Sequence, residues 1–329
     1  PFAFFFLILL FFIPLCIYAD NVQKPLKKAS FIPQWSPQAQ FAGYYVAYEK
    51  GFYRDLGIDL ELVQGGPYRS SSEKLENDEA TFATMWLCDA IQRKSRGSKI
   101  VNIAQIVQRS ALMLVAKKSS GINKPEDMNG KKMSLWRADF QIQPRAFIKK
   151  YNLNVNIIPQ SYTINLFLRD GVQIASAMWY NEYHTIINAG IDPQELTTFF
   201  FYEHGLNFPE DGIYTLEKTL SKDPELAMAF VKASIKGWIY AFEKPNEAID
   251  IVMKYMKQAK VPANRVHQKW MLERMKDIIM PRNANDPQIG VLRQQDFILV
   301  ANELQKAGLI KKIPDFSGFI FKGDTIVTK

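Results

Sequence analysis

The stretch FIPQWSPQAQFAGYYVAYEKGFYRDLGIDLELVQGGP, residues 31–67, decides the fold. Ile58, Leu60 and Leu62 alternate with Asp59 and Glu61, the period of a strand with one buried face. Ahead of it, Phe41, Tyr44, Tyr45 and Tyr48 recur at helical spacing, and Gly51 stands where a helix would stop. The stretch therefore reads as strand, polar-aromatic loop around Trp35, short helix, tight glycine turn and second strand.

The alternation continues outward. Residues 80–86, 99–108 and 111–117 read as strands, with a helix over 88–96 closed by Gly97 and a short one over 124–128 with Pro125 in its first turn. A second set follows, with strands over 132–136, 155–158, 174–180 and 196–202. Helices over 144–151, 164–170 and 182–189 lie between them, the last two closed by Gly171 and Gly190. Strand and helix alternating through short glycine-closed turns predicts an α/β fold with mainly parallel sheets. Past residue 220 the pattern turns helical over 223–243, 246–257, 263–280 and 294–307, punctuated by Pro245, Pro262, Pro281 and Pro287. No fixed-period repeat occurs, so a solenoid is not expected. Two α/β sets and a helical tail predict two lobes whose chain crosses over twice, near Lys117 and near residues 213–215. Residues 20–117 and 215–329 then form lobe 1 and residues 118–214 form lobe 2.

Composition narrows the class. The 329 residues carry a net charge of +8, but basic pairs such as Lys117-Lys118, Lys149-Lys150 and Lys311-Lys312 are scattered among acids. That is a solvated surface, suited to an anionic membrane or transporter face, and no nucleic-acid partner is expected. Residues 1–19, PFAFFFLILLFFIPLCIYA, lack charge and read as the h-region of a signal peptide with Ala19 at the cleavage point; an uncleaved anchor is the competing reading. Leu15 before Cys16 is too large for a lipidation site. Past that segment Cys88 stands alone in ATMWLCDA and reads as a core thiol.

Enzyme signatures are missing. His184, His204 and His267 do not stand at metal-ligand spacing, and neither G-x-S-x-G nor G-x-x-x-x-G-K-[ST] occurs. No catalytic residue, metal or cofactor is expected. His184 is expected on the outward face of its helix, and His267 falls in the helical tail. Gly65-Gly66-Pro67 is either a plain turn or a set of amides facing a cleft.

Aromatic residues at strand ends are more telling, because open α/β sheets bind ligands outside their carboxyl ends. Trp35, Trp86, Trp136 and Tyr180 all stand there, on both sets of strands, and predict an aromatic-lined cleft. Tyr44, on the helix after the Trp35 loop, is counted with them. Candidate polar partners are Gln40, with Gln34 and Gln38 around Trp35, Asn181 and Glu182 after Tyr180, and Glu210 and Asp211 before the second crossover. A carboxylate accepts paired hydrogen bonds from an amino group and an adjacent protonated ring nitrogen; an amide both donates and accepts. Glu182 can instead stabilise a helix N-terminus, and Glu210 and Asp211 can belong to a hinge turn.

Taken in order, the opening stretch, GKKMSLW (130–136), AMWYNEY (177–183), FPEDGIY (208–214) and KGWIYAFEKPNEAIDIVMKY (236–255) resemble substrate-binding proteins of ABC importers. The branch resembled is the one that binds thiamine-pyrimidine precursors, related to binders of sulfonates, nitrate, taurine and riboflavin. The resemblance implies a two-lobed type II periplasmic-binding-protein fold that performs no chemistry. It implies an extracytoplasmic, monomeric protein that delivers a small flat heterocycle to a membrane permease. Arg137 and Arg145 leave an alkyl sulfonate open. Riboflavin as ligand, and a role as the sensory ligand-binding domain of a signalling protein, also stay open. Eukaryotic synthases of the thiamine pyrimidine share the fold but carry a cysteine cluster and an N-terminal-half histidine. Here the first histidine is His184, which argues against a synthase.

Overall fold

Residues 25–281 and 288–321 are described by a computed structural model; the expected export segment, with Cys16 and Ala19, and also Pro287 lie outside the described residues. Strands β1 (Lys27–Ile32), β2 (Ile58–Leu62), β3 (Phe82–Trp86) and β4 (Ile100–Gln105) build a first sheet. Strands β5 (Leu112–Lys117), β6 (Lys132–Leu135), β7 (Asn156–Pro159), β8 (Ile174–Met178) and β9 (Leu196–Phe200) build a second. The chain then returns as β10 (Asp211–Leu216) to the first. The strand orders are β2-β1-β3-β10-β4 and β7-β6-β8-β5-β9.

Both sheets are mixed in the same way. β1 pairs parallel with β2 and β3, and β6 pairs parallel with β7 and β8. β10 runs antiparallel between β3 and β4, and β5 antiparallel between β8 and β9. Each antiparallel strand is the first one after a crossover. It starts at the edge where its neighbours end and must run the other way.

The crossovers are therefore earlier than expected. β5 lies wholly in the second sheet, so the first crossover falls in residues 106–111, not near Lys117. β10 belongs to the first sheet from Asp211 on, so the second falls in residues 201–210, not near 213–215. The apolar runs of both strands read equally well in either sheet, because period and burial identify a strand without naming its partner.

The helical tail packs mainly on the first lobe. Asp223 caps helix Pro224–Glu243 by accepting from the Leu226 amide at 3.0 Å, with Pro224 at the first helical position. Phe230 of this helix stacks on Phe82 at 4.1 Å and on Tyr53 at 5.1 Å, joining helix to sheet in one aromatic core. Helix Ala42–Glu49 crosses it through glycines. A Cβ on Gly237 would fall 2.1 Å from the Gly43 carbonyl oxygen, and one on Gly43 would fall 2.3 Å from the Trp238 ring. Cys88 is a buried thiol, as expected.

Gly237→Ala should lower stability by about 1–3 kcal/mol, the usual cost of overpacking a tight core. A denaturant midpoint unchanged from wild type would show that the helices part without cost.

Candidate functional site

Loops leaving the carboxyl ends of both sheets meet around a cleft of about 480 Å³, inside the range of small-molecule sites. The first lobe contributes Gln34, Trp35, Gln38 and Gln40 from the loop after β1, and Trp86 from the end of β3. The second contributes Trp136, Arg137 and Phe140 after β6, and Gln160, Ser161 and Tyr162 after β7. Met178, Tyr180, Asn181 and Glu182 come from the end of β8 and the start of helix Glu182–Asn188.

Rings from the two lobes face each other. Trp86 meets Phe140 edge-on at 4.8 Å, and Trp136 meets Phe140 at 5.8 Å. Trp35 and Tyr162 stand 6.4 Å apart, and Tyr162 is 82 % exposed. The Trp136 indole N–H donates to the Ser161 carbonyl at 3.1 Å, which leaves the ring faces for other contacts.

The Trp35 loop is held by amides. The Gln34 backbone N–H donates to Thr84 Oγ1 at 2.9 Å, and the Ala39 N–H to Gln268 Oε1 at 2.7 Å. The carboxyl of Asp211, at the start of β10, accepts from the side-chain amides of Gln34 and, at 2.9 Å, Gln40. Gln38 donates in turn to Gln40 Oε1 at 2.6 Å. Gly65 backs the same loop: a Cβ there would fall 2.0 Å from the Pro33 carbonyl oxygen. The Gly65-Gly66-Pro67 turn is a prop behind the loop, and none of its residues lines the cleft.

Glu182 sits on the cleft wall with two donors behind it. Its Oε2 accepts from the Met178 N–H at 3.0 Å and its Oε1 from Asn181 Nδ2 at 2.9 Å. Loss of water raises its carboxyl to about 7, against the pull of the Met178 backbone N–H and its own. Burial likewise raises Asp211 to about 7, with Gln40 and Gln34 pulling it back. Glu210 is raised by burial and then by the Asp211 charge beside it. Its Oε1 accepts from the N–H groups of Ala111 at 2.6 Å and Leu112 at 3.3 Å.

The structure thus gathers Trp35, Gln40, Trp86, Trp136, Tyr180, Asn181 and Glu182 around one cleft. Three expected residues stand elsewhere. Tyr44 turns into the first lobe's core, 4.8 Å from Phe31 and 5.7 Å from Trp238, because its helix buries that face against the sheet. Asp211 lies behind the Trp35 loop, and Glu210 clamps the first crossover; both are buried, and neither lines the cleft. Arg145 is exposed, and its Nε donates to Gln141 at 2.8 Å, away from the cleft. His184 is buried instead of outward, stacked 4.8 Å from the Trp270 ring.

Phe140, Gln160 and Tyr162 escaped the sequence reading. All three follow the ends of β6 or β7, so the strand-end rule that found Trp136 covers them too. Among the described residues, no three His, Cys, Asp or Glu side chains stand together as a metal site, and no helix is long and apolar enough to cross a membrane.

Residues 38–248 match the family described as NMT1/THI5 like. A riboflavin-binding protein of Chloroflexus aurantiacus is 23% identical over 261 residues, covering 75% of this chain and 72% of that protein. A 4-amino-5-hydroxymethyl-2-methylpyrimidine phosphate synthase of Legionella pneumophila is 24% identical, covering 71% and 76%. A formylaminopyrimidine-binding protein of Halalkalibacterium halodurans is 20% identical, covering 72% and 73%. The periplasmic aliphatic sulphonate binding protein SsuA from Escherichia coli superposes with a TM-score of 0.71 at 11% identity, over 92% of this chain and 94% of that one. The fold is that of the periplasmic binding proteins.

The raised carboxyls set the pH dependence of stability. A carboxyl with a raised folded pKa stabilises the fold below its unfolded value, and that stability is lost as pH rises through the folded value. His184, His204 and His267, lowered by burial, act oppositely, but only below about pH 6.5. From about pH 6.5 to 8 the melting temperature should therefore fall as pH rises, and Asp211→Asn should flatten the slope. A melting temperature constant over that window would contradict the burial of these groups.

Proposed function

The chain belongs to the NMT1/THI5-like family, and on that footing we propose that it is an extracytoplasmic solute-binding protein serving an ABC importer. Its ligand is a small, flat, amino-bearing heterocycle of the thiamine-pyrimidine-precursor class. One observation carries the ligand class: the cleft joins aromatic rings from both lobes to a carboxyl raised to about 7.

A flat ring stacks on Trp35, Trp86 or Trp136 while Glu182 meets its edge. An amino group and the adjacent ring nitrogen together match a carboxyl in two ways. A carboxylate accepts from the amino group and the protonated ring; a carboxylic acid accepts from the amino group and donates to the neutral ring. With Glu182 near 7, the proton can rest on either partner at small cost. Each stacked ring adds roughly 0.5–1.5 kcal/mol beyond its buried area, a useful share of the ~8 kcal/mol of a micromolar complex. Asn181 adds a polar group on the second lobe, beside Gln160, whose amide is already paired with Ser134 and Ser176.

A sulfonate fits less well. Arg137 lines the cleft, but an anion site draws on several cations or helix N-termini. Riboflavin is flat and heterocyclic and is the nearer competitor. Ligand favours closure of the lobes about the two crossovers only by its differential affinity for the closed state. The closed form then docks, as a monomer, on the permease. Several relatives are named as synthases; for this chain we expect no pyrimidine product from purified protein given iron and pyridoxal phosphate.

Thermal-shift and calorimetric titration with 4-amino-5-hydroxymethyl-2-methylpyrimidine, riboflavin and an alkanesulfonate tests the reading. The aminopyrimidine should bind at one site and stabilise by about 2.7 kcal/mol at a hundred times its Kd. Glu182→Ala and Trp136→Ala should each weaken it by on the order of tenfold. Saturable binding of the sulfonate alone would overturn the ligand class, and unchanged affinity in both variants would overturn the site.

A further inference from the structure

Helix Arg265–Ile279 of the first lobe reaches both walls of the cleft. Gln268 holds the Trp35 loop through the Ala39 N–H, and the Ile278 carbonyl accepts from Gln108 and Arg109 in the first crossover. Toward the second lobe, the Trp270 indole N–H donates to the Trp179 carbonyl at 3.0 Å. His267 lies 2.8 Å from Asn181 Oδ1 through Nε2 and 2.9 Å from His184 Nδ1 through its own Nδ1.

Donor chemistry orients this chain. Asn181 Nδ2 donates to Glu182 Oε1, so Asn181 presents its carbonyl oxygen to His267. That oxygen only accepts, so His267 carries hydrogen on Nε2. Neutral His267 then has a lone pair on Nδ1, which His184 Nδ1–H fills. The donors run one way: His184 to His267 to Asn181 to Glu182. The path crosses from the second lobe to the first and back.

We propose that His267 is a positioning residue for the cleft: from the opposite lobe it fixes the orientation of Asn181 and, through it, of Glu182. This rests on the reading of the cleft as the ligand site. A single proton, taken by His184 at Nε2, leaves the chain intact. A second, at His267 Nδ1, sets two N–H groups face to face and breaks the His184–His267 bond, while His267 Nε2–H still donates to Asn181. Burial lowers both imidazoles, and His184 lowers His267 further, which keeps the chain intact at neutral pH.

The Asn188 side-chain nitrogen stands 3.2 Å from His184 Nδ1 and only donates, so a hydrogen on that Nδ1 requires the Asn188 amide to be turned with its oxygen toward the ring. The Asn264 side chain accepts from the His267 backbone N–H. The Arg274 guanidinium lies 4.6 Å from the Trp270 ring centroid and is paired with Asp277 at 2.8 Å. The Tyr183 ring flanks Trp270 at 6.3 Å. From His267, Glu182 is reached through Asn181.

Two measurements test the proposal. In ligand-free protein at neutral pH, long-range nitrogen–proton NMR should find the Nε2–H tautomer at His267 and the Nδ1–H tautomer at His184. Asn181→Ala should remove the His267 preference. In titrations with 4-amino-5-hydroxymethyl-2-methylpyrimidine, His267→Leu should weaken binding on the order of tenfold, the scale of one lost buried hydrogen bond, with the protein still folded. His267→Gln keeps a donor for Asn181 and does not titrate. It should bind within about threefold of wild type. An Nδ1–H tautomer at His267, or wild-type affinity in His267→Leu, overturns the proposal. Should wild type bind none of the three probes, the ligand reading fails by itself, and the tautomers and their response to Asn181→Ala decide the role of His267.

Discussion

Glu210 and Asp211 stand side by side where the chain returns from the second sheet to the first, and their carboxyls fasten different things. Glu210 holds the outgoing crossover through the N–H groups of Ala111 and Leu112. Asp211 holds the Trp35 loop through Gln34 and Gln40. The pair thus ties the two crossovers to each other and one wall of the cleft to the sheet. Both groups lie where water is excluded, and their charges sit next to each other, so ionisation is disfavoured. Hydrogen-bond donors on each carboxyl make the arrangement tolerable; without them a buried polar group is costly.

The second wall is built on a similar logic. Glu182 is gripped from behind by the Met178 backbone and by Asn181, with its remaining surface turned to the cleft. Asn181 is gripped in turn by His267 from the other lobe. The polar residues of the cleft wall are therefore not free side chains on loops. Each is oriented by a partner one layer out, which limits the rotamer freedom lost when a ligand arrives. The rings differ. Trp35 and Tyr162 come one from each lobe and stand 6.4 Å apart, with Tyr162 mostly exposed.

Much of this was legible along the chain. Alternation in Ile58–Leu62 marked β2, and glycine-closed helices between strands marked the α/β class. The rule that ligands gather beyond strand carboxyl ends singled out Trp86, Trp136 and Tyr180, and all three line the cleft. It failed where burial competes with position. Tyr44 obeys helical spacing, but the same spacing aims it at Phe31 in the core. Asp211 and Glu210 have the right chemistry and chain position, yet their carboxyls are consumed by the protein's own amides.

Local pattern by itself determined the strands, the helices, the two-lobed α/β class and most of the aromatic cleft. These follow from periodicity and from chain direction, both of which act between near neighbours in sequence. Partnerships between distant residues were decided only when the lobes came together. β5 and β10 could have joined either sheet until pairing chose one. Histidines 83 positions apart became a hydrogen-bonded pair only because a tail helix of the first lobe packs on the second. No spacing rule reaches across that distance, since contact there is set by packing and not by the path of the chain.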